Sequence, residues 1–342
     1  MPTATAAPPK PKPAPLPPDT GIGSYRVLRK IASGGFGVVY QAVDKDGQQV
    51  AIKEYLPASL ATRAPGELTP RVASAKVPLY RLGLKSFFEE GRALAQISHP
   101  SVVGVLNFLR QNETVYMVMD YLEGDSLQDF IVIARELKKE KVLRESTILS
   151  LFDEVLRGLR IVHQNKMLHL DIKPANIFIT DDNRAVLIDF GAAREVINKG
   201  NNFVRPMYTP GFAAPEMYRR DAGMGPWTDI YAIGACMYSC MHGYPPSDAP
   251  QRQDKDRLTL ALSRMRGIYS DNLLEVVEWC MALDPLSRPQ SVFALQKELN
   301  REGARQYTQP SLTDRMRLQL DKLSGHKKTA APTKRKTTDR LL

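Results

Sequence analysis

Hydrophobic and polar residues alternate over several short stretches in the first third of the chain, and this alternation predicts β-strands. Residues 25–31 alternate in this way, residues 38–42 and 50–53 follow a glycine-rich turn, and residues 115–119 form a strongly β-prone run. One segment of this region, Phe87 to Ile97, has the spacing of an amphipathic helix. The pattern therefore predicts a strand-rich region with one helix over residues 21–123.

From Ser126 onward the apolar residues recur mostly at helical spacing, which predicts a larger helical region. The candidate helices are residues 148–165, 230–242, 258–265, 273–283 and 292–302. Between the strand 50–53 and the first helix lies a long connection, residues 54–86, that holds four prolines and several basic residues. Because connections this long inside a compact domain tend to be functional or disordered, we expect it to dock a regulatory partner or to help position the following helix. Surface elaboration without a role is the alternative.

The two ends of the chain differ from its middle in composition. Residues 1–20 contain eight prolines and almost no residues that would enter a core, so we predict a disordered, extended arm. Near the other end, residues 304–325 are predicted as a helical extension and residues 326–342 as a basic disordered tail. The remaining segment, residues 21–303, is predicted to be one domain.

The charge and the cysteine content indicate which partners and which cellular compartment the protein has. The formal net charge is +10, but residues 326–342 supply six basic residues against one acidic residue, so much of the excess is local. Without interleaved aromatic residues this tail does not favour nucleic acid as a partner. The three cysteines form no C-x-x-C pair, and no apolar run is long enough for a membrane span, so we expect a cytoplasmic protein.

The segment from His169 to Asn176 carries the chemistry. It reads His-Leu-Asp-Ile-Lys-Pro-Ala-Asn, and Asp189-Phe-Gly follows thirteen residues later. Phosphoryl transfer needs one carboxylate that orients a hydroxyl, and an amide and a second carboxylate that hold a divalent metal against ATP. These residue types therefore indicate a phosphotransferase.

The two motifs resemble those of the protein kinases, whose catalytic loop reads H-R-D-x-K-x-x-N and whose metal-binding turn reads D-F-G. The chain also resembles that family in a glycine-rich loop at residues 32–39 and in Val-Ala-Ile-Lys at residues 50–53. The resemblance implies an α+β, bilobal protein kinase fold. Its small β-rich N-lobe with one regulatory helix would be residues 21–122, and its larger, mainly α-helical C-lobe would be residues 123–303.

The resemblance also implies a site for ATP with Mg²⁺ or Mn²⁺. Lys53 would pair with the α- and β-phosphates and be held by Glu90 of the first helix, with Glu89 as the rival. Met119 would be the gatekeeper, while the Asp120 carbonyl and the Leu122 amide would bond the adenine. The nucleotide-binding set is Ala32, Gly34, Gly37, Val39, Ala51, Lys53, Met119, Asp120 and Leu122. Ala32 departs from the family, which has glycine there.

Within the catalytic segment each residue has an implied role. Asp171 resembles the base that orients the substrate hydroxyl, and Lys173 would steady the transferred phosphate. Asn176 and Asp189 would be the metal ligands. Lys53 and Glu90 complete the implied catalytic set.

Further motifs indicate the substrate class. Ala-Pro-Glu ending at Glu216, with Arg288 as the inferred ion-pair partner, and Asp229 beneath the catalytic loop resemble features that small-molecule kinases generally lack. Lys173 with Thr209 resembles the serine/threonine type. The resemblance thus implies a soluble, bacterial-type serine/threonine protein kinase that phosphorylates Ser/Thr hydroxyls of proteins, with autophosphorylation expected. The alternatives are a pseudokinase used as a binding or scaffolding module and a small-molecule phosphotransferase.

Two departures concern regulation. The family's arginine before the catalytic aspartate, which gathers a phosphate on the activation loop, is here Leu170. Independently, the segment between Gly191 and Tyr208 contains no Ser or Thr. We therefore predict that phosphorylation of this loop does not switch activity on, and that activity is constitutive or set by a partner acting on the helix of Glu90.

Overall fold

A computed structural model describes residues 13–137, 143–190, 208–219 and 221–300. The predicted C-terminal helical extension and basic tail lie outside the described residues, as do residues 1–12 of the predicted arm and the whole segment between Gly191 and Tyr208. The predicted fold class, α+β and bilobal, is confirmed, since a β-rich N-lobe precedes a mainly helical C-lobe.

The N-lobe is built on one antiparallel sheet with the strand order β1-β2-β3-β4-β8-β7. Alternation in sequence becomes alternation in burial, as in β3, where Val38, Tyr40 and Ala42 are buried and their neighbours are half-buried. Its strands are β1 (Gly21–Ile22), β2 (Tyr25–Ser33), β3 (Gly37–Val43), β4 (Gln49–Tyr55), β7 (Val105–Gln111) and β8 (Thr114–Asp120).

Helix α1 (Val77–Leu94) packs on this sheet and is longer than the sequence pattern predicted. It begins ten residues before Phe87, inside the segment expected to be a long connection. Pro78 lies in its first turn, where a missing N–H costs nothing because the helix has no acceptor for it there. The rest of that connection holds a two-stranded sheet, β5 (Ala61–Thr62) with β6 (Arg71–Val72), and a short 3₁₀ helix, Ser74–Lys76.

Residues 13–20, expected to belong to a disordered arm, are packed against the N-lobe. Leu16 is 3% exposed and belongs to the same hydrophobic cluster as Val27 and Ile52. The packed domain therefore starts before the predicted boundary at residue 21. Proline-rich composition alone concealed this, because one buried leucine among prolines produces no periodic pattern.

The C-lobe is arranged around a helix that is buried along nearly its whole length, α4 (Pro226–His242). The C-lobe also contains a three-stranded sheet, with β10 (Ile177–Thr180) between β9 (Gly124–Ser126) and β11 (Ala185–Leu187). The other helices are α2 (Leu127–Leu137), α3 (Glu145–Gln164), α5 (Ala249–Asp254), α6 (Leu258–Ser263), α7 (Asp271–Cys280) and α8 (Val292–Leu299). Within the described ranges no helix has both the length and the apolar character needed to cross a bilayer.

Candidate active site

The glycine-rich loop connects β2 to β3 at the edge of the cleft. The backbone N–H of Gly34 donates to the Gly37 carbonyl at 2.9 Å, and Ala32 pairs with Val39 across the hairpin. An added Cβ at Gly37 would overlap the carbonyl oxygen of Glu54, so only glycine allows the loop to approach β4 this closely. Ala32, Gly34, Gly37 and Val39, the loop residues expected to contact nucleotide, therefore lie within one hairpin that packs against β4.

Strand register brings four of the predicted nucleotide-binding side chains to one face of the sheet. Val39 pairs with Lys53, and Ala51 pairs with Met119. Directly paired residues of antiparallel strands place their side chains on the same face. Asp120 ends β8, and Leu122 follows it and packs against the cluster that contains Phe190.

Lys53 lies in the cleft and forms an ion pair with Asp189. The Lys53 Nζ is 2.6 Å from the Asp189 Oδ1 and 5.5 Å from the centre of the Phe87 ring. Glu90 is buried, at 6% exposed, whereas the side chain of Glu89 is 62% exposed and pairs with a surface lysine of its own helix. Of the two candidate glutamates, Glu90 is therefore the one that faces inward. Its ion pair with Lys53 stays a prediction.

Asp229, in the first turn of α4, holds the backbone of the catalytic segment. Its carboxylate accepts from the backbone N–H groups of His169 and Leu170, each at 2.8 Å, and lies 2.8 Å from the His163 Nε2. Burial alone would raise the pKa of Asp229, but the hydrogen bond from His163 and the backbone donors hold this pKa below its usual value. The carboxylate therefore remains charged. It stabilises Leu170 in a left-handed conformation, with φ 59°, that is uncommon for leucine.

The ring of His169 stacks on Phe190 with centroids 4.3 Å apart, which joins the two catalytic motifs. Its Nε2 lies 3.1 Å from the Ile188 carbonyl oxygen. Burial lowers the pKa of His169, so the ring is neutral at pH 7. In a neutral imidazole only one nitrogen carries a proton. Because Nε2 faces a carbonyl oxygen, Nε2 is that nitrogen, and it donates to Ile188.

Asp171 is the centre of a compact polar cluster. The Lys173 Nζ is 2.9 Å from the Asp171 Oδ2, and the Asn176 amide nitrogen donates to the same oxygen at 2.8 Å. The Thr209 hydroxyl lies 3.4 Å from the Asp171 Oδ1 and 3.3 Å from the Lys173 Nζ. The structure therefore brings Asp171, Lys173 and Asn176 together and adds Thr209, 38 residues from Asp171 in sequence, to them.

The donor set fits a divalent metal. The Asn176 amide nitrogen donates to Asp171 and to the backbone carbonyl of Asp189, so its side-chain oxygen is the atom left to bind a cation, next to a second carboxylate residue. Mg²⁺ prefers oxygen ligands and commonly combines one or two protein ligands with phosphate oxygens. Over the residues described, no cluster of three or more His, Cys, Asp or Glu forms a protein-only metal cage.

The predicted ion pair between Glu216 and Arg288 is present and buried. Two hydrogen bonds of 2.8 and 3.0 Å join them, and the Thr228 hydroxyl donates to the same glutamate at 2.9 Å. The contact ties the segment after Thr209 to the end of the C-lobe.

One supporting residue, His163, had no signal in the sequence. It contacts Asp229 from α3, and the two residues are 66 positions apart, so no local pattern reveals the contact. Thr209 was named with Lys173 from the family resemblance, and the structure adds its contact with Asp171.

Comparison with known proteins agrees with this fold and gives the family. The profile of the protein kinase domain family matches residues 25–299. The solved structure described as PpkA-294 apo form superimposes with a TM-score of 0.73 at 34% identity, and it covers 83% of this chain and 99% of that chain. The kinase domain of Mycobacterium tuberculosis PknI, 21% identical with a TM-score of 0.58 and coverage of 84% of this chain and 99% of that chain, shares the fold.

Curated relatives are more distant and longer. A serine/threonine-protein kinase of Caenorhabditis elegans is 28% identical over 289 residues, which are 78% of this chain and 26% of that protein. A probable serine/threonine-protein kinase of Encephalitozoon cuniculi, a KIN1 homologue, is 28% identical over 271 residues, which are 78% of this chain and 44% of that protein. The chain thus spans less than half the length of these relatives.

Proposed function

Because the chain belongs to the protein kinase family, in its eukaryotic-like serine/threonine branch, we propose that it transfers the γ-phosphate of ATP to Ser and Thr hydroxyls of protein substrates, itself included. The observation that carries this proposal is the cluster around Asp171, in which a carboxylate, an ammonium group, an amide and a hydroxyl lie within hydrogen-bond distance. ATP and Mg²⁺ or Mn²⁺ are the proposed cofactors.

Each residue has a task that follows from its position. Asp171 accepts the hydrogen bond of the substrate hydroxyl and aims its oxygen at the phosphorus, while Lys173 places positive charge beside the transferred group. Asn176 and Asp189 would hold the divalent cation, which neutralises phosphate charge when it is bound. Lys53, now paired with Asp189, would turn to the α- and β-phosphates.

A hydroxyl-bearing acceptor on a polypeptide is supported by two features of the C-lobe. The Thr209 hydroxyl lies 3.4 Å from the Asp171 carboxylate. The site therefore accommodates a hydroxyl of a polypeptide at about the distance that a substrate hydroxyl would need. The buried pair of Glu216 and Arg288 stabilises the surface that follows. We propose protein substrates rather than small molecules on these grounds.

We further propose that activation-loop phosphorylation does not control activity. Leu170 contributes only its backbone N–H, to Asp229, and offers no charge to a phosphate.

A regulatory partner at residues 54–86 is supported by the continuity of that segment with the helix of Glu90, since α1 already begins at Val77. A bacterial origin and a cytoplasmic location are proposed as well, in keeping with three free, buried thiols.

Transfer of labelled phosphate from ATP tests the function. The purified protein, Lys53→Met and Asp171→Asn are compared with Mg²⁺ or Mn²⁺, with and without a basic protein acceptor. We expect acid-stable label on Ser and Thr with the wild type, and a loss of about 10²–10⁴-fold in kcat for Asp171→Asn. Wild-type protein that binds ATP but transfers no phosphate to either acceptor would support the scaffold alternative.

Regulation is tested on the same material by mass spectrometry. Phosphate on Tyr208 or Thr209, together with loss of activity on dephosphorylation, would contradict the proposed independence from loop phosphorylation. For the partner surface, Leu68→Ser and Leu82→Ser change exposed residues and leave the packed part of the segment intact. If neither substitution changes activity or the capture of any partner, the segment is only structural.

A further inference from the structure

A buried ion pair lies directly behind the strand that carries Lys53. Glu54 is the next residue of β4, so its side chain points to the face of the sheet opposite the cleft. The side chains of Glu54 and Arg63 are both 0% exposed, and two hydrogen bonds of 2.6 and 2.8 Å join them. Arg63 belongs to the connection between β4 and α1. That connection therefore delivers a positive charge into the interior of the N-lobe.

Two tyrosine hydroxyls complete the contacts of this carboxylate. Tyr40 of β3 donates to Glu54 at 2.7 Å, and Tyr116 of β8 donates to it at 3.3 Å. Burial, with the Glu54 carboxylate as the next cause, raises the pKa of both hydroxyls, so they remain protonated donors. Because β4 lies between β3 and β8, the Glu54 carboxylate joins all three central strands of the sheet.

The N-terminal segment covers the same network. Arg63 donates through its Nε to the Ala14 carbonyl at 2.8 Å, and the Ala14 N–H donates to the Arg63 carbonyl at 2.9 Å. The Leu16 N–H donates to the Tyr40 hydroxyl at 3.0 Å, and the Leu16 side chain is buried. Residues that precede the first strand, Ala14 and Leu16, thus help to exclude water from the ion pair.

We propose that Arg63 is a positioning residue for ATP binding, acting through Glu54 on Lys53. A buried carboxylate that loses its cation must move, take up a proton or admit water, each of which disturbs the backbone it is attached to. Lys53 shares that backbone, and its ammonium group must meet the phosphates within a few tenths of an ångström. This inference rests on the proposed kinase function.

Full-length Arg63→Met tests the proposal, with Arg71→Met as the matched control. Arg71 is an arginine of the same segment whose side chain is 74% exposed and pairs only with a surface glutamate. We expect Arg63→Met to raise KM for ATP and Kd for ATP–Mg²⁺ about tenfold, with a smaller change in kcat. Its Tm should fall by about 10 °C, so kinetics are measured well below that temperature.

A double variant separates charge from packing. Glu54→Gln combined with Arg63→Met leaves no unpaired charge behind β4, so it should recover most of the ATP affinity lost in the single variant. Without that recovery, the route through the Glu54 charge is wrong. If Arg63→Met does not fold, Arg63→Lys replaces it, because lysine keeps the charge but not the paired hydrogen bonds, and an intermediate Kd is expected.

The outcomes distinguish this inference from the proposed function. A folded Arg63→Met or Arg63→Lys protein that binds ATP–Mg²⁺ as the wild type does would overturn the positioning role, whatever its Tm. Wild-type protein that does not bind ATP at all would instead remove the proposed function. Equal losses in Arg63→Met and Arg71→Met would also overturn the inference, since they would show a general effect of the segment.

Discussion

Asp229 is a buried residue whose contacts hold the backbone of the catalytic segment in place. Its carboxylate accepts hydrogen bonds from two consecutive backbone N–H groups and contacts His163, all at 2.8 Å. A carboxylate has only acceptors, so it suits three donors that converge on it. The strained backbone of Leu170 next to Asp171 is maintained by this contact.

Asp229→Asn should therefore weaken the protein although it changes no volume. One amide N–H would face a backbone N–H, and leaving buried donors unpaired costs about 1–3 kcal/mol of the free energy of unfolding. Urea unfolding measures this loss, and kcat should fall with it. Asp46→Asn, in an exposed turn, is the control. Wild-type stability and kcat in Asp229→Asn would show that Asp229 does not hold the segment.

The buried histidine gives the stability a dependence on pH. Burial lowers the pKa of His169, so the unfolded chain binds a proton more readily than the folded one. The contribution of neutral His169 to the free energy of unfolding is complete above the pKa of histidine in the unfolded chain, about 6.5. It is lost as the pH falls from there towards the pKa of His169 in the folded protein. The pKa of His99 is also lowered, by burial and then by Arg157 and Arg160, so it contributes in the same direction.

We expect the free energy of unfolding to fall between pH 7 and pH 5.5, and His169→Gln to fall less steeply. Urea unfolding at several pH values measures both slopes. His242→Gln, at an exposed histidine, serves as the control. Identical slopes for His169→Gln and the wild type would exclude His169 as a source of the dependence.

At the scale of elements, the contact between α1 and the sheet decides where Glu90 lies. The helix approaches the sheet closely at Gly91, where an added Cβ would lie 2.5 Å from the Met117 methyl carbon and overlap the Phe108 ring. Glycine inside a helix costs about 1 kcal/mol relative to alanine, so its presence needs a packing reason. The close approach is that reason, and Glu90 is the adjacent residue.

Gly91→Ala should destabilise the protein by about 1–2 kcal/mol in spite of the better helix propensity of alanine, because the contact is overpacked. Chemical unfolding measures the change. Phe108→Leu in the same chain removes ring atoms at the contact and should restore part of the loss. A gain of stability in Gly91→Ala, as propensity alone requires, would show that α1 moves away freely.

At the scale of the whole molecule, the N-terminal segment belongs to the folded domain. Leu16 and Ala14 join β3 and the segment after β4, so residues distant in sequence close the outer face of the N-lobe. Fully burying a leucine side chain contributes about 1.5–3 kcal/mol. The domain is consequently larger than the strand pattern that starts at residue 21.

Two shortened chains test this boundary by their Tm. A chain that starts at Pro13 keeps every contact named for this segment and should unfold at the Tm of the full chain. A chain that starts at Gly21 loses Leu16 and the Ala14 contacts, and its Tm should be lower by several degrees, at about 2–4 °C for each kcal/mol lost. Equal Tm values for the two would show that the segment adds no stability.

The sequence by itself determined the order of the two lobes and the family, and it predicted the residues proposed to carry the chemistry. Asp171, Lys173 and Asn176 lie within one short segment, so their types and spacing are readable without a structure. Strands such as β3 and β4 were also predictable, because alternation of burial is a local property. The choice of Glu90 over Glu89 followed from helix geometry, and only Glu90 is buried.

Only the tertiary structure decided the contacts between distant parts of the chain. His163 lies 66 residues from Asp229, and Arg63 lies 49 residues from Ala14, so neither contact leaves a local pattern in the sequence. The extent of α1 was hidden for a related reason, since Pro78 and the glycines masked a helix that packing stabilises. These residues are placed by packing against segments that are distant along the chain, and a short stretch of sequence does not contain that information.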